Sequence, residues 1–265
     1  MPRATSRPWT RAELIVAFKL YCQLPFGRLH QRAPEIVRLA ALLDRSPGSV
    51  AMKLVNIASV DPAITANGRK GLGNASTADR AVWAEFHADW EALALESAQV
   101  QQGLAAARGE PIEAIEIDDS EAVDEVIDYA GLNRTSALQV RLKQAFFRKA
   151  VLASYEGRCC ITGLSQPRLL VASHLVPWAT DAKNRLNPRN GLCLSSLHDK
   201  AFDAGLLTLS ADHRIVMSAA VQSLADEPFA ITSLFAYVGQ KIRMPQKFRP
   251  DEAFLEHHRT TVFLG

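Results

Sequence analysis

One stretch in the second half of the chain restricts its possible folds more than any other. It reads Ala172-Ser173-His174-Leu175-Val176-Pro177-Trp178, then Asn190-Gly191-Leu192-Cys193-Leu194, then Leu197-His198-Asp199-Lys200-Ala201-Phe202-Asp203. The polar residues at its centre offer, in order, an imidazole that can take a proton, an amide that can hold a loop, and a second imidazole that can bind a metal. Any fold that uses them must bring His174, Asn190 and His198 to one site.

The rest of the sequence is compatible with ordinary globular domains. The chain has 265 residues, 48% hydrophobic and 22% charged, enough for one large domain or two modest ones with real cores. No apolar run approaches the roughly 20 residues of a membrane span, and the first residues lack an apolar signal core. A cytoplasmic protein without a membrane partner is expected. The four cysteines, Cys22, Cys159, Cys160 and Cys193, form no C-x-x-C pair. Buried, reduced thiols are expected rather than a disulfide framework or a zinc ribbon.

Charge is unevenly distributed although the net charge is only +2. Arg3 to Lys70 holds eleven Lys/Arg against four acids, Asp79 to Asp128 fourteen acids against two arginines, and Arg134 to Arg214 twelve Lys/Arg against five acids. Two basic blocks separated by an acidic one suggest two polyanion-facing regions joined by a solvated connector. Even spreading of the charges round each surface would give the same counts.

Three regions follow. Residues 1–75 read as helical. Thr10 and Glu13 form a capping box before Leu14, Ile15, Phe18 and Tyr21, and Pro34 starts a second helix through Leu43. Ser46 caps a third that begins at Pro47. The Leu39–Val50 segment resembles a helix-turn-helix, in which Ser49, Lys53 and Asn56 face a DNA groove. A plain three-helix bundle with a tight turn satisfies the same pattern. Residues 76–134 read as a glycine-flanked long helix, from Ala78 to about Ala107, followed by an acidic connector. Residues 135–265 begin with a basic amphipathic helix, Leu138 to Tyr155, with Arg148 among its outward cations. Extended segments around Cys159–Ile161 and Leu169–Ala172 come next.

A phosphodiester resists hydrolysis because its negative charge repels nucleophiles, so a catalyst must both deprotonate water and absorb charge. An imidazole with a pKa of about 6.5 suits the first task and a divalent cation the second. Here the chain resembles the HNH endonuclease family, in a branch that reads C-x-x-T-G, S/A-H-I/L-x-P-W, N-G-L-x-L and H-x-x-F-D-x-G. The matching elements are Cys160–Gly163, Ser173–Trp178, Asn190–Leu194 and His198–Gly205. Phe146–Leu152 and His258–Phe263 are also similar to that branch, and the resemblance covers about the last half of the chain.

The resemblance implies an α+β protein, a mainly helical N-terminal domain followed by a ββα-metal (HNH) nuclease domain. It implies a DNA endonuclease that leaves 5′-phosphate and 3′-hydroxyl ends. His174 would be the general base, Asn190 a loop organiser or a metal contact through its amide oxygen, and His198 a metal ligand. One divalent ion is expected, Mg²⁺ or Mn²⁺ first and Zn²⁺ or Ni²⁺ as alternatives. Restriction or defence is the role the family suggests, and a homodimer would cut both strands. A DNA-binding regulator on the same scaffold and an RNA-cleaving nuclease are the alternatives.

Two departures stand out. Ser173 occupies a position where many HNH enzymes carry an acidic metal ligand, and a hydroxyl is a weak Mg²⁺ donor. Asp203 is the replacement considered, although five residues along a helix is about 140° from His198. It faces the same ion only if His198 lies ahead of the regular helix; otherwise it is a cap or turn residue. The structural zinc quartet of many HNH cores is also missing. Arg185, Arg189 and Lys200 flank the motif and are expected to contact phosphates.

Overall fold

The structure, a computed structural model, describes residues 7–66, 73–109 and 134–265. Most of the glycine-rich loop after Ala66 and the whole acidic connector 110–128 lie outside the described residues. The fold is α+β, and the described residues divide into two compact units. One spans 7–109 except Gln23–Phe26; the other comprises Gln23–Phe26 and 134–265. No helix among the described residues is long and apolar enough to cross a membrane.

The first unit is all helical. Helix α1 (Arg11–Gln23) buries Leu14, Ile15, Phe18 and Tyr21, and its capping box forms as the sequence predicts. The Thr10 backbone N–H donates to Glu13 Oε2 at 2.8 Å, and the Glu13 N–H to Thr10 Oγ1 at 3.2 Å. Helix α2 (Pro34–Leu43) ends on left-handed Asp44, and α3 (Pro47–Ala58) is capped by the Ser46 side chain. A single turn, α4 (Pro62–Ala66), follows.

The long helix expected from Ala78 to Ala107 is instead two, α5 (Thr77–Ala88) and α6 (Trp90–Ala107). The break has a local cause. Asp89 leaves helical geometry (φ −149°, ψ 88°) and accepts the Ala92 N–H on its carboxylate at 2.9 Å, capping α6. Phe86 before the break and Trp90 after it both pack round Phe18, with ring centroids 6.2 and 6.0 Å away. Trp83 closes on Phe18 edge-on at 5.5 Å.

The second unit begins with α7 (Arg134–Ser154), which buries Phe146, Phe147, Ala150 and Val151. Cys159–Ile161 is a turn, not the expected strand. Cys159 N–H donates to Leu164 O at 2.8 Å, and Gly163 N–H returns to Cys159 O at 2.9 Å. Cys159 Sγ also accepts from the Thr162 and Ser195 N–H groups, so its backbone and thiol are committed to closing the turn. Strand β1 (Leu170–His174) pairs antiparallel with β2 (Gly191–Ser195), with Leu170 opposite Ser195 and His174 opposite Gly191. Helix α8 (Ser196–Asp203) leaves β2 without a linker.

Arg148 fastens α7 to this hairpin, donating to Leu170 O at 2.8 Å and Pro167 O at 3.0 Å. It is buried, not outward as its place in the amphipathic pattern suggests. Gly191 makes the packing possible: a Cβ there would lie 2.5 Å from Val151 Cγ2 and 2.9 Å from Phe147 Cζ. A second hairpin, β3 (Leu207–Leu209) with β4 (Ile215–Met217), follows α8. Short helices complete the unit, among them α9 (Pro228–Ser233) and α10 (Glu252–His257), and α10 runs into a π-helical turn over His258–Val262.

Candidate active site

Successive side chains of a strand point to opposite faces, so β1 presents Ser173 and His174 on different sides of the hairpin. His174 takes the α7 side. Its ring stacks on Phe147, with centroids 4.0 Å apart and planes 8° apart, and meets Trp178 edge-on at 5.7 Å. Its Nε2 lies 2.9 Å from the Arg185 carbonyl oxygen. A carbonyl only accepts, so this bond places the ring proton on Nε2 and makes Nδ1 the basic nitrogen.

Asn190 is fully buried and holds the loop that returns from β1 to β2. Its Oδ1 accepts the Val176 N–H at 2.8 Å; its Nδ2 donates to Val176 O at 3.2 Å and Asn184 O at 3.3 Å. Its own carbonyl accepts the Leu175 N–H at 3.0 Å. The amide is therefore bonded to two loop carbonyls and one N–H, an arrangement that holds the loop in place.

His198 stands in the first turn of α8 and is 2% exposed. Its Nδ1 is 2.8 Å from Ser195 Oγ, while its Nε2 is buried with no hydrogen-bond partner. Ser195 is the helix N-cap residue, yet its hydroxyl turns to the histidine instead of capping a backbone N–H. Tyr237 meets the imidazole edge-on at 5.5 Å. Burial pushes the His198 pKa below the ordinary histidine value, against a smaller upward pull from the Ser233 backbone, which stays short of a hydrogen bond. Ser173 on β1 is buried too, and its Oγ lacks a hydrogen-bond partner.

The other residues singled out from sequence fare differently. Asp203 ends α8 and is exposed, whereas His198 lies inside the same helix and is buried. The condition for the two to share an ion is not met, because His198 does not precede the regular helix. Among the described residues no three His, Cys, Asp or Glu side chains group as metal ligands. Arg185 lays its guanidinium over Trp178 at 5.1 Å. Arg189 pairs with Asp251 at 2.9 Å and donates to Arg249 O at 3.3 Å. Lys200 is exposed on α8.

In the first unit the groove-facing reading of α3 fails for Lys53. It is buried and paired with Asp79 at 2.8 Å, and its ammonium lies 5.3 Å from the Trp9 ring centroid. Asn56 has its Oδ1 buried as well; the large side chain α3 exposes is Met52. Several other cations of the basic block also pair with acids within this unit. Arg7 and Arg45 pair with Glu13, Arg28 with Glu35, and Arg11 with Glu85 and Glu96. Glu85, Glu96 and Asp79 come from the acidic block, so charges that are separated in sequence meet in the fold.

Phe147 under His174, the Arg185 carbonyl, and Ser195 behind His198 were not legible as site residues. Phe147 lies inside the family-like segment Phe146–Leu152 and Ser195 adjoins the Asn190–Leu194 element, which are weak signals; the Arg185 carbonyl has none, since every residue carries one.

A two-stranded antiparallel hairpin running directly into a helix, with one histidine ending the first strand and another in the first helical turn, is the ββα core of a nuclease-type domain. Residues 159–210 match the family model HNH_2, described as HNH endonuclease, and the chain accordingly carries an HNH endonuclease domain. The matched segment runs from the Cys159 turn through both strands and α8 to the end of β3. No curated protein matches the chain.

Proposed function

We propose that the protein is a divalent-metal-dependent DNA endonuclease whose catalytic site is built by the β1–β2 hairpin and α8. The observation that supports this most is His198. A buried polar atom without a partner costs roughly 1–3 kcal/mol, and a ligand that takes the Nε2 lone pair removes that cost. If Nδ1–H donates to Ser195 Oγ, Nε2 is left as the coordinating nitrogen. An ion held by the His198 imidazole would complete its shell with water and substrate phosphate, and Mg²⁺ or Mn²⁺ is proposed ahead of Zn²⁺ or Ni²⁺. Bound there, such an ion supplies positive charge against the phosphate oxygens as negative charge builds up.

The chain's own residues do the remaining work. His174 Nδ1 takes the proton of the attacking water, while the Arg185 carbonyl keeps Nε2–H in place and stabilises the imidazolium that forms. Phe147 fixes the plane of the ring, and Asn190 fixes the loop that carries Arg185. Attack at phosphorus with departure of the 3′ oxygen leaves 5′-phosphate and 3′-hydroxyl ends. Lys200 and Arg185 are the cations best placed in sequence to contact phosphates. The helical unit engages DNA or a protein partner, and two copies of the chain would cut both strands. A role in restriction or defence rests on the family likeness alone.

A DNA-binding regulator without turnover is favoured by one observation, the lack of an acidic residue at Ser173. The test is a cleavage screen of the full chain with Mg²⁺ and Mn²⁺ against modified and unmodified duplex, single-stranded DNA and RNA. Metal-dependent cutting of DNA supports the proposal, and cutting of RNA alone moves the substrate class. No cutting of any substrate, with DNA binding intact, leaves the regulator.

A further inference from the structure

The turn that ends α8 bonds its last carbonyls: Ala204 N–H donates to Lys200 O at 3.1 Å, Gly205 N–H to Phe202 O at 3.0 Å and Leu206 N–H to Ala201 O at 2.9 Å. His258 adds a second bond to Phe202 O from another segment. Its Nε2 donates to Phe202 O at 3.1 Å, its Nδ1 accepts from Thr208 Oγ1 at 2.9 Å, and its ring stacks on Phe202 with centroids 3.5 Å and planes 14° apart. Phe202 is one turn beyond His198 on the same helix face. His258 therefore grips the turn directly below the proposed metal ligand and ties it to β3.

The backbone round this residue is shaped for the contact. His258 opens the π-helical turn, a rare geometry that recurs at functional positions. Val262 O of that turn occupies the space beside Gly205, where a Cβ would lie 2.2 Å from it, and Leu264 N–H donates to Gly205 O at 3.0 Å. Gly205 also needs its freedom for a φ of +70°. Arg259 Nη1 adds a bond to Leu209 O at 3.2 Å. Every one of these contacts falls on the segment that ends or follows α8. His258 itself is 2% exposed and lies beyond the family match at 159–210.

We propose that His258 is a positioning residue of the nuclease site: bridging Phe202 O and Thr208 Oγ1, it sets the height and rotation of α8 and so the place of His198 Nε2. This rests on the reading of His198 as the metal ligand. In the neutral imidazole the Phe202 carbonyl fixes the proton on Nε2, which leaves Nδ1 to accept from Thr208 Oγ1. Burial supports that state, lowering the His258 pKa to about 4, against an upward pull from the Phe202 backbone.

The test uses the full chain and three variants. His258→Phe keeps the stacked ring and removes both bonds, His258→Gln retains a donor for Phe202 O, and Thr208→Val cuts the other bond while leaving the histidine. Mn²⁺ binding by calorimetry, KM and kcat on a cleaved duplex, and amide exchange of α8 are measured on each. In His258→Phe the expected result is Mn²⁺ affinity and kcat lowered about tenfold, the low end for residues behind a metal ligand. The duplex KM should hold, and α8 amides should exchange faster than those of α7. His258→Gln should recover most of the loss. If His258→Phe does not fold, Thr208→Val and His258→Gln decide by the same readouts. Variants that bind Mn²⁺, cut and protect α8 like the wild type overturn the positioning role alone. A wild type that neither binds Mn²⁺ nor cuts overturns the nuclease reading, and this role with it.

Discussion

Asn190 distinguishes a loop organiser from a metal ligand, because the two roles give opposite results for Asn190→Asp. Asn190→Ala leaves Val176 N–H, Val176 O and Asn184 O without their partner, three groups now bonded at 2.8, 3.2 and 3.3 Å. At about 1 kcal/mol for each net bond, the loss is about 3 kcal/mol. The isosteric Asn190→Asp keeps the acceptor for Val176 but turns the donor into an oxygen facing two carbonyls. Only the protonated acid can donate to one of them, so folding must raise this carboxyl above its unfolded value of about 3.9.

A rise of about three units costs about 4 kcal/mol at pH 8. A raised carboxyl contributes its stability below the unfolded pKa and loses it as pH rises through the folded one. Asn190→Asp should therefore be the less stable of the two variants at pH 8 and match or exceed Asn190→Ala near pH 4.5. Urea unfolding of the second unit, followed by circular dichroism at both pH values, measures the difference. An Asn190→Asp protein at least as stable as Asn190→Ala at pH 8, with tighter Mn²⁺ binding than wild type, would place the amide in the metal shell and refute the loop assignment.

Gly191→Ala sets two effects against each other. The extended backbone of residue 191 (φ −134°, ψ 145°) accepts alanine, and losing a glycine alone stabilises by about 0.4–1 kcal/mol. A Cβ 2.5 Å from Val151 and 2.9 Å from Phe147 adds overpacking of about 1–3 kcal/mol, so net destabilisation is expected, relieved by adding Val151→Ala. Equal stability of Gly191→Ala and wild type would show that Phe147 is not wedged beneath His174. In the first unit, burial raises the Glu13 pKa, but bonds from Arg45 and Thr10 outweigh it and hold the carboxyl below its ordinary value. A depressed carboxyl adds stability above its unfolded pKa of about 4.3 and loses it as pH falls through the folded value. Glu13→Gln should flatten the acid limb of this unit's stability profile, and an unchanged limb would mean that the Glu13 cluster contributes nothing.

The hairpin and α8 were reached through the family resemblance; the residues alone pointed to extended segments at Cys159–Ile161 and Leu169–Ala172, and only the second overlaps a strand, β1, whose partner is Gly191–Ser195. The Thr10–Glu13 capping box and the Ser46 cap were legible from local pattern. Features settled by partners distant in sequence were not. Lys53 looks like a groove contact until Asp79 takes its charge, and Arg148 like a surface cation until the hairpin offers two carbonyls. The Cys159 turn reads as a strand because nothing in its sequence shows that a thiol accepts two backbone N–H groups. Asp89 carried a usable signal, as a residue type that caps helices, inside a pattern otherwise periodic throughout. His258 had none, since its partners Thr208 and Phe202 are 50 and 56 residues away.

The most direct test compares wild type and His174→Ala in one assay: single-turnover cleavage of a duplex with Mn²⁺, with DNA affinity measured on the same samples. Water activation by His174 predicts at least about a hundredfold lower rate in the variant, at a DNA affinity within about twofold of wild type. Cleavage by His174→Ala at the wild-type rate would contradict the catalytic role at the centre of this site.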